Sequence, residues 1–508
     1  MSPERKGLAL GGLLVRRLLE AGVLALVFAA AFRWPAASGN GVVEALAALL
    51  FPPLLMEGLL RGRSPWWSLL ALFGGFALLF HWVPATLAAK GNLALPVAFA
   101  GALLLAVYEA AGLLLVALLA RWGARRRGPW AAGLCAALGI VLWEALAFHV
   151  YLWSWGAAFG GLPWLARAAA FLGSHGLAAL AWGCGAFAAA RLAEGKPQEA
   201  LAPVLAAPLV LALLGGAWYL LPREAPRSLD VVMVQPGFPA GQRLPGMEAR
   251  CWMQTDEALA RAGLPRAGRA TLVLWPESSV LGRDDRVADP RLPREAASRG
   301  IAWLYGTEGG PFNLVRGEAP GRPSFLFAKA EPMAFGERMP GPAPVRAWLD
   351  RSLGFLSQEP GRLDASASFC VPGAGDLRVH PLVCSEAMRP GRVQAGLAAA
   401  GGELLANLTN DGWFEHSVAT DLHAAQVRLR AVEAGLPLLR ATLTGRSGLF
   451  REDGAWVLWG APMTRDTYSL ALDWRPVRTP ARHAAWTASL LALLTVAALA
   501  ACLWRRRP

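Results

Sequence analysis

Three short runs of this 508-residue chain bring a residue able to do covalent chemistry to the end of a β-type segment. "TLVLWPE" closes on Glu277, "SFLFAKA" carries Lys329 next to its end, and "LRVHPLVC" closes on Cys384. A thiol must lose its proton before it attacks a carbonyl, because its free pKa is about 8.5. A nearby glutamate supplies the base. A lysine lowers the thiol pKa and receives the charge that develops on the carbonyl oxygen. Glu, Lys and Cys together therefore make an acyl-transfer site with Cys384 as nucleophile. Each alone is a weak signal, since a single thiol at a strand end is most often structural. Ser385 and Glu386 follow Cys384 directly, which suits an exposed strand-to-helix turn better than a buried thiol.

The elements that would position these residues lie in 222–483. Short β-rich runs at 229–235, 271–277, 301–307, 324–330, 377–384, 403–409 and 437–445 alternate with helical runs at about 247–263, 391–400 and 418–434. The alternation predicts an α/β domain with a layered sheet. Several strands are apolar along their whole length, as strands covered on both faces are. In such sheets ligands and reactive groups collect at one end of the strands. "PGPAP" (340–344) reads as a loop and "LPREAPRS" (221–228) as a linker.

The rest of the chain is of another kind. Hydrophobic residues make up 55% of the sequence and charged residues only 17%, against roughly 25% in soluble domains; the mean hydropathy is +0.38. Apolar blocks at about 10–32, 41–60, 66–83, 93–120, 130–150, 164–190 and 200–221, and an eighth at 484–504, approach the ~20 residues of a membrane-spanning helix. The expected organisation is a seven-helix membrane domain over 1–221, the α/β domain over 222–483, and a last span with a basic tail over 484–508. Arg5, Lys6, Arg61, Arg63, Arg121, Arg125–Arg127, Arg191, Lys196 and Arg505–Arg507 all fall on one side of such a layout. That side is the cytoplasm by the positive-inside rule, so both termini are cytoplasmic and 222–483 lies outside. The net charge of +13 is then a topology signal, and no nucleic-acid partner is expected. The six cysteines form no CxxC pair and no regular spacing, which argues against a zinc site or a disulfide scaffold. Cys251 and Cys370 lie in the outer domain, where a bridge between them is left open.

"WPES" with Glu277, "AKAEPMAFGERMP" with Lys329 and Glu337, and "CSEAMRP" with Cys384 and Glu386 resemble, in order, the signature blocks of the nitrilase (carbon–nitrogen hydrolase) superfamily. Within it the chain is most similar to the apolipoprotein N-acyltransferases, a membrane family. "FGGFALLFHW" (73–82), "NLTNDGWF" (407–414), "RLRAVEAGLPLLRAT" (428–442) and "TGRSG" (444–448) resemble further blocks of that family, so the resemblance spans almost the whole chain. It implies an αββα sandwich carried on about eight transmembrane helices of a bacterial inner membrane, with the sandwich on the periplasmic side. It also implies a ping-pong reaction. Cys384 takes an acyl chain from a phospholipid, typically phosphatidylethanolamine, and passes it to the α-amine of a diacylglyceryl-cysteine lipoprotein. Glu277 would be the general base, and Lys329 with the backbone N–H after Cys384 the oxyanion stabiliser. Glu337 would position the lysine or the first glutamate, and Glu386 would be the carboxylate next to the nucleophile. No cofactor and no metal is implied, and the chain is expected to act as a monomer.

The chain departs from the family pattern at Ser385, where an aromatic is usual, at Ala328 in place of Asp, at Ala334 in place of Pro, and at "QPGF" (235–238). Trp252 lies too far along to take the family's tryptophan role. A divergent member with another acyl donor or acceptor is one alternative. A membrane-anchored amidase, with water as acceptor, is a second, and a non-catalytic lipid binder a third. Asn410, Trp413 and Phe414 are pocket candidates; the two aromatics either hold the acyl chain or pack the core. His416 is expected at a pocket edge and His423 on a helix surface. The aromatics of "YLWSWGAAFGGLPWL" (151–165) read as an interfacial belt. Glu57, Glu109 and Glu144 lie in or near spans, where a carboxylate is costly, and no role is assigned to them.

Overall fold

The computed structural model describes residues 3–32, 41–89, 91, 93–238, 246–281, 291–309, 311–353, 357–362, 366–373, 375–414, 417–457 and 460–483. The first apolar blocks fold as α1 (Pro3–Ala31), α2 (Gly41–Leu60), α3 (Pro65–Leu79), α4 (Val83–Ala89), α5 (Leu95–Arg127), α6 (Pro129–Leu146), α7 (Ala169–Ala193) and α8 (Pro197–Ala217). Among the described residues five helices are long and apolar enough to cross a membrane, or six if α3 and α4, bent by 49° at their break, form one span. Pro84 sits in the first turn of α4, where a proline opens a new helix more readily than it continues an old one. α1 is long, but Arg16, Arg17 and Glu20 interrupt its apolar run. The block at 484–504 lies outside the described residues.

α8 leaves Leu201, Leu205, Leu209 and Leu213 exposed at four-residue spacing, one apolar stripe suited to lipid. The three carboxylates singled out in the sequence are partnered. Glu57 pairs with Arg61 at 2.5 Å and Glu109 with His149 at 2.9 Å. Glu144 accepts from the Trp155 N–H at 2.6 Å and the Ser154 hydroxyl at 3.1 Å, and contacts His175 at 2.8 Å.

A second unit begins at Leu220 and takes in Val150–Leu152 as well. It holds β1 (Arg227–Gln235), β2 (Thr271–Leu274), β3 (Val280–Leu281), β4 (Ala302–Gly309), β5 (Phe312–Glu318), β6 (Phe325–Ala328), β7 (Phe369–Val371), β8 (Leu377–Val383), β9 (Leu404–Thr409), β10 (Leu438–Thr442), β11 (Gly448–Phe450) and β12 (Asp466–Trp474). One sheet runs β12-β1-β2-β4-β5-β6, with β3 beside β4; the other runs β11-β10-β9-β8-β7. β1, β2 and β4 are parallel, as are β8, β9 and β10. Every β-rich run read from the sequence contains a strand. The unforeseen strands are mostly short or at edges, such as the three-residue β7 and β11.

Side-chain alternation explains the layers. Leu229, Val231 and Met233 of β1 point into the core shared with Val379, Val383, Leu404, Ala406 and Leu439 of the other sheet. Val232 and Val234 point the other way, toward Cys251, Trp252, Ala258 and Leu259 of α9 (Met247–Ala262) and Leu292 and Ala296 of α10 (Arg291–Arg299). α11 (Ala343–Leu353) follows in the chain. α12 (Pro390–Ala400) and α13 (Ala419–Ala434) contact the second sheet through β8 and β10.

Candidate active site

β8 ends at Val383, and Cys384 opens a short 3-10 turn, Cys384–Met388, with φ at +50°. That is the left-handed region, which costs a residue with a Cβ and persists only where the surroundings enforce it. The surroundings are visible. Asn407 Nδ2 donates to the Cys384 carbonyl at 3.2 Å and to the Leu382 carbonyl at 3.1 Å, and the Val383 N–H donates to Glu386 at 2.9 Å. The thiol is not exposed as its turn suggested: Cys384 keeps 7% of its surface and faces a narrow cavity of about 20 Å³, room for roughly one water.

The first sheet supplies the other groups. Glu277 sits three residues beyond β2. Its Oε1 accepts from Asn313 Nδ2 at 2.6 Å, its Oε2 accepts from the Asn410 N–H at 2.7 Å, and Lys329 Nζ lies 3.7 Å away. A Cβ on Gly306 would stand 2.4 Å from Glu277 Cα, so only glycine lets β4 pass this close to the loop. Lys329 follows β6 directly, its N–H bonded to the Asn313 carbonyl at 2.8 Å. Its ammonium contacts the Glu337 carboxylate at 2.7 Å, and Glu337 also accepts from Asn313 at 3.1 Å and from the Met333 N–H at 2.6 Å. Asn313, in β5, was not singled out in the sequence; an asparagine inside a strand gives no signal there.

Charge follows burial and neighbours. Burial raises the Glu277 pKa, Glu337 adds to it, and Lys329 and the two N–H donors offset only part, so the carboxyl sits above its usual range. Burial opposes the Lys329 charge, but the Glu337 and Glu277 carboxylates outweigh it and hold the ammonium above the usual lysine value. Burial and Glu277 push the Cys384 thiol up despite Lys329. The resting set is therefore a neutral thiol, a fixed cation and a carboxylate with raised proton affinity.

Glu386 is fully buried and accepts from the Ala330 N–H at 2.7 Å, the Glu331 N–H at 3.2 Å, the Val383 N–H at 2.9 Å and Arg392 Nε at 3.1 Å. It ties the loop after Lys329 to the turn at Cys384. Asn410 contributes its backbone N–H, while its side chain accepts from the Gly412 N–H at 3.1 Å. Phe414 lines the cavity and meets Tyr151 and His423 edge-on at 5.8 Å and 6.1 Å between ring centres. Tyr151 donates its hydroxyl to the Ala419 carbonyl at 2.9 Å. Ser385 also lines the cavity; Trp413 is half-buried and is not among its lining residues.

His423 is not on a helix surface. It is buried, with Nδ1 2.9 Å from Asp411 Oδ1 and Nε2 3.4 Å from the Cys384 carbonyl. Asp411 Oδ2 accepts from Arg440 at 2.7 Å, and Arg440 in turn donates to Asn407. Burial would raise the Asp411 pKa, but Arg440 and His423 bring it down to about 2. Burial and Arg440 lower the His423 pKa, leaving a neutral ring. His416 lies outside the described residues. Cys251 and Cys370 are both free thiols, so no bridge joins them.

A carbon–nitrogen hydrolase family model matches residues 338–467, which include Cys384. The chain is 29% identical over 423 residues to an apolipoprotein N-acyltransferase of Allorhizobium ampelinum, covering 76% of each chain. It is 28% identical over 495 residues to that of Brucella melitensis, covering 87% of this chain and 85% of the other. With that of Bradyrhizobium diazoefficiens the identity is 32% over 205 residues, 37% of each chain.

Proposed function

We infer from the chain's membership of the apolipoprotein N-acyltransferase family, within the carbon–nitrogen hydrolases, that it is a membrane acyltransferase, and we propose that it works through a thioester on Cys384. The donor in this reading is a phospholipid, with phosphatidylethanolamine the first choice, and the acceptor is the α-amine of a diacylglyceryl-cysteine lipoprotein. The enzyme acts in the bacterial inner membrane, with the α/β domain on the periplasmic face and eight spans in all. A single chain suffices.

The observation that carries the reading is the chain of buried Glu277 and Lys329 with Glu337 beside a thiol held on a left-handed turn. In the first half-reaction Cys384 Sγ bonds to the ester carbonyl carbon while its proton passes to Glu277. The negative charge on the carbonyl oxygen is met by Lys329 and by the Ser385 N–H, one of the donors a helix start leaves unpaired within the helix. When the C–O bond breaks, the lysophospholipid alkoxide takes the proton from Glu277. In the second half-reaction the amine nitrogen bonds to the thioester carbonyl, Glu277 receives the amine proton, and Cys384 leaves and is reprotonated. A thioester is reactive toward amines, which is what splitting the transfer into two steps gains.

Intact mass spectrometry of the detergent-purified chain with phosphatidylethanolamine tests this. The expected result is one fatty-acyl increment on Cys384 that disappears when a diacylglyceryl-cysteine peptide is added and reappears as an amide on the peptide. Loss of the increment to water alone would favour the amidase. No increment with any phospholipid, in folded protein, would sink the acyltransferase reading and favour the amidase or the non-catalytic lipid binder.

A further inference from the structure

The cavity at Cys384 is walled by apolar side chains, among them Val150, Leu152, Met333, Met388 and Phe414. His423, in the same wall, is held neutral by burial and Arg440. Among the lining residues Arg389 is then the one with a formal charge. Its side chain is 43% exposed and pairs with that of Glu331, 42% exposed, at 2.8 Å between Nε and the carboxylate. An exposed pair of this kind adds little to stability. Both residues are nevertheless fixed to the nucleophile's turn. The Arg389 N–H donates to the Glu386 carbonyl at 3.1 Å, and the Glu331 N–H donates to the Glu386 side chain at 3.2 Å. An apolar wall beside a thiol, with one replaceable cation bordering it, matches a ligand that is apolar where it reacts and anionic a short distance away.

We propose that Arg389 is a specificity-determining residue that exchanges Glu331 for the phosphodiester of the acyl donor. This rests on the acyl-transfer reading above. A guanidinium offers a planar fork of donors that matches two phosphate oxygens at once, which an ammonium does not. Glu331 occupies that fork at rest and competes with the donor for it.

The test uses the full-length chain in detergent and the second-order rate constant of Cys384 acylation. Two donors are compared, phosphatidylethanolamine and the uncharged ester p-nitrophenyl palmitate. Arg389→Gln lowers the phospholipid-to-neutral-ester ratio roughly tenfold, the worth of one charge-assisted hydrogen-bonded contact. Arg389→Lys gives an intermediate ratio. Glu331→Gln raises the ratio above wild type, because it removes the competitor. An equal fall with both donors in Arg389→Gln, an unchanged ratio, or a fall in Glu331→Gln overturns the assignment. A wild-type chain that gives no Cys384 adduct with either donor overturns the acyl-transfer reading itself, and the Arg389 assignment with it.

Discussion

Two buried charged clusters meet at Cys384, and they are built to opposite ends. In the first, Lys329 serves two carboxylates: Glu337 at 2.7 Å and Glu277 at 3.7 Å. Burial raises the pKa of the looser partner, Glu277. In the second, Asp411 has Arg440 on one oxygen and His423 on the other, and its pKa falls to about 2. One cluster leaves a carboxylate under-compensated, so that a proton can be exchanged. The other saturates its carboxylate and holds the backbone at Cys384. A buried charge becomes reactive where its compensation is incomplete, and structural where it is complete.

The largest effects should come from the first cluster. Cys384→Ala should abolish the acyl adduct outright; a wild-type increment in that variant, read by intact mass, would show the thiol to be a bystander. Lys329→Met removes the proposed oxyanion donor and should slow single-turnover acylation about 10²–10³-fold. It also leaves the buried Glu277 and the half-buried Glu337 without their cation, so its folded state should be verified by circular dichroism before the rate is read.

The second cluster should register in stability first. Asp411→Asn breaks a buried ion pair and leaves Arg440 uncompensated, a change that costs about 3–5 kcal/mol. A denaturant titration of the detergent-solubilised protein followed by tryptophan fluorescence measures it. Equal midpoints for variant and wild type would mean that the network does not hold the turn.

The pH dependence separates the clusters further. Glu277 is useful as a base only when ionised, and its raised pKa moves the acid limb of acylation above the usual glutamate range. The raised value also means that protonating Glu277 relieves the fold and does not weaken it. Asp411 has the opposite sign. Its depressed folded pKa contributes stability above the unfolded value of about 3.9, and that contribution is lost as pH falls through about 2. Acylation should therefore fall on acidification while the tryptophan spectrum stays native, and it should recover on return to pH 7. Activity and spectrum lost together would tie the limb to unfolding.

The two clusters were not equally legible in the sequence. Glu277, Lys329 and Cys384 each close an apolar run, and the structure brings all three to one place from two sheets. Asn313, which donates to both glutamates, is one of three polar residues in a seven-residue strand and carries no pattern. His423 was misplaced for a physical reason. α13 alternates polar and apolar residues in a way that reads as one wet face, yet every residue of it is buried. Its polar side chains find partners within the domain: Asp421 with Arg446, Arg428 with the Gly454 carbonyl, and Arg430 with Glu433. Helical periodicity distinguishes polar from apolar faces, and it does not distinguish solvent from a saturated polar interior.

The smallest effect sharpens the comparison most. Ser385 and Glu386 both follow Cys384, and the sequence suggested support from each. Glu386 collects four donors in the interior, so Glu386→Ala strands buried N–H groups and should behave like the Asp411 variant. Ser385 lines the cavity and is half-buried, and what the chemistry asks of it is its backbone N–H, which alanine keeps. Ser385→Ala should therefore leave acylation within about threefold of wild type, under about 0.7 kcal/mol. A hundredfold loss would make the hydroxyl a working group of the reaction. The site would then divide by proximity to Cys384, and completeness of charge compensation would no longer explain which residues react.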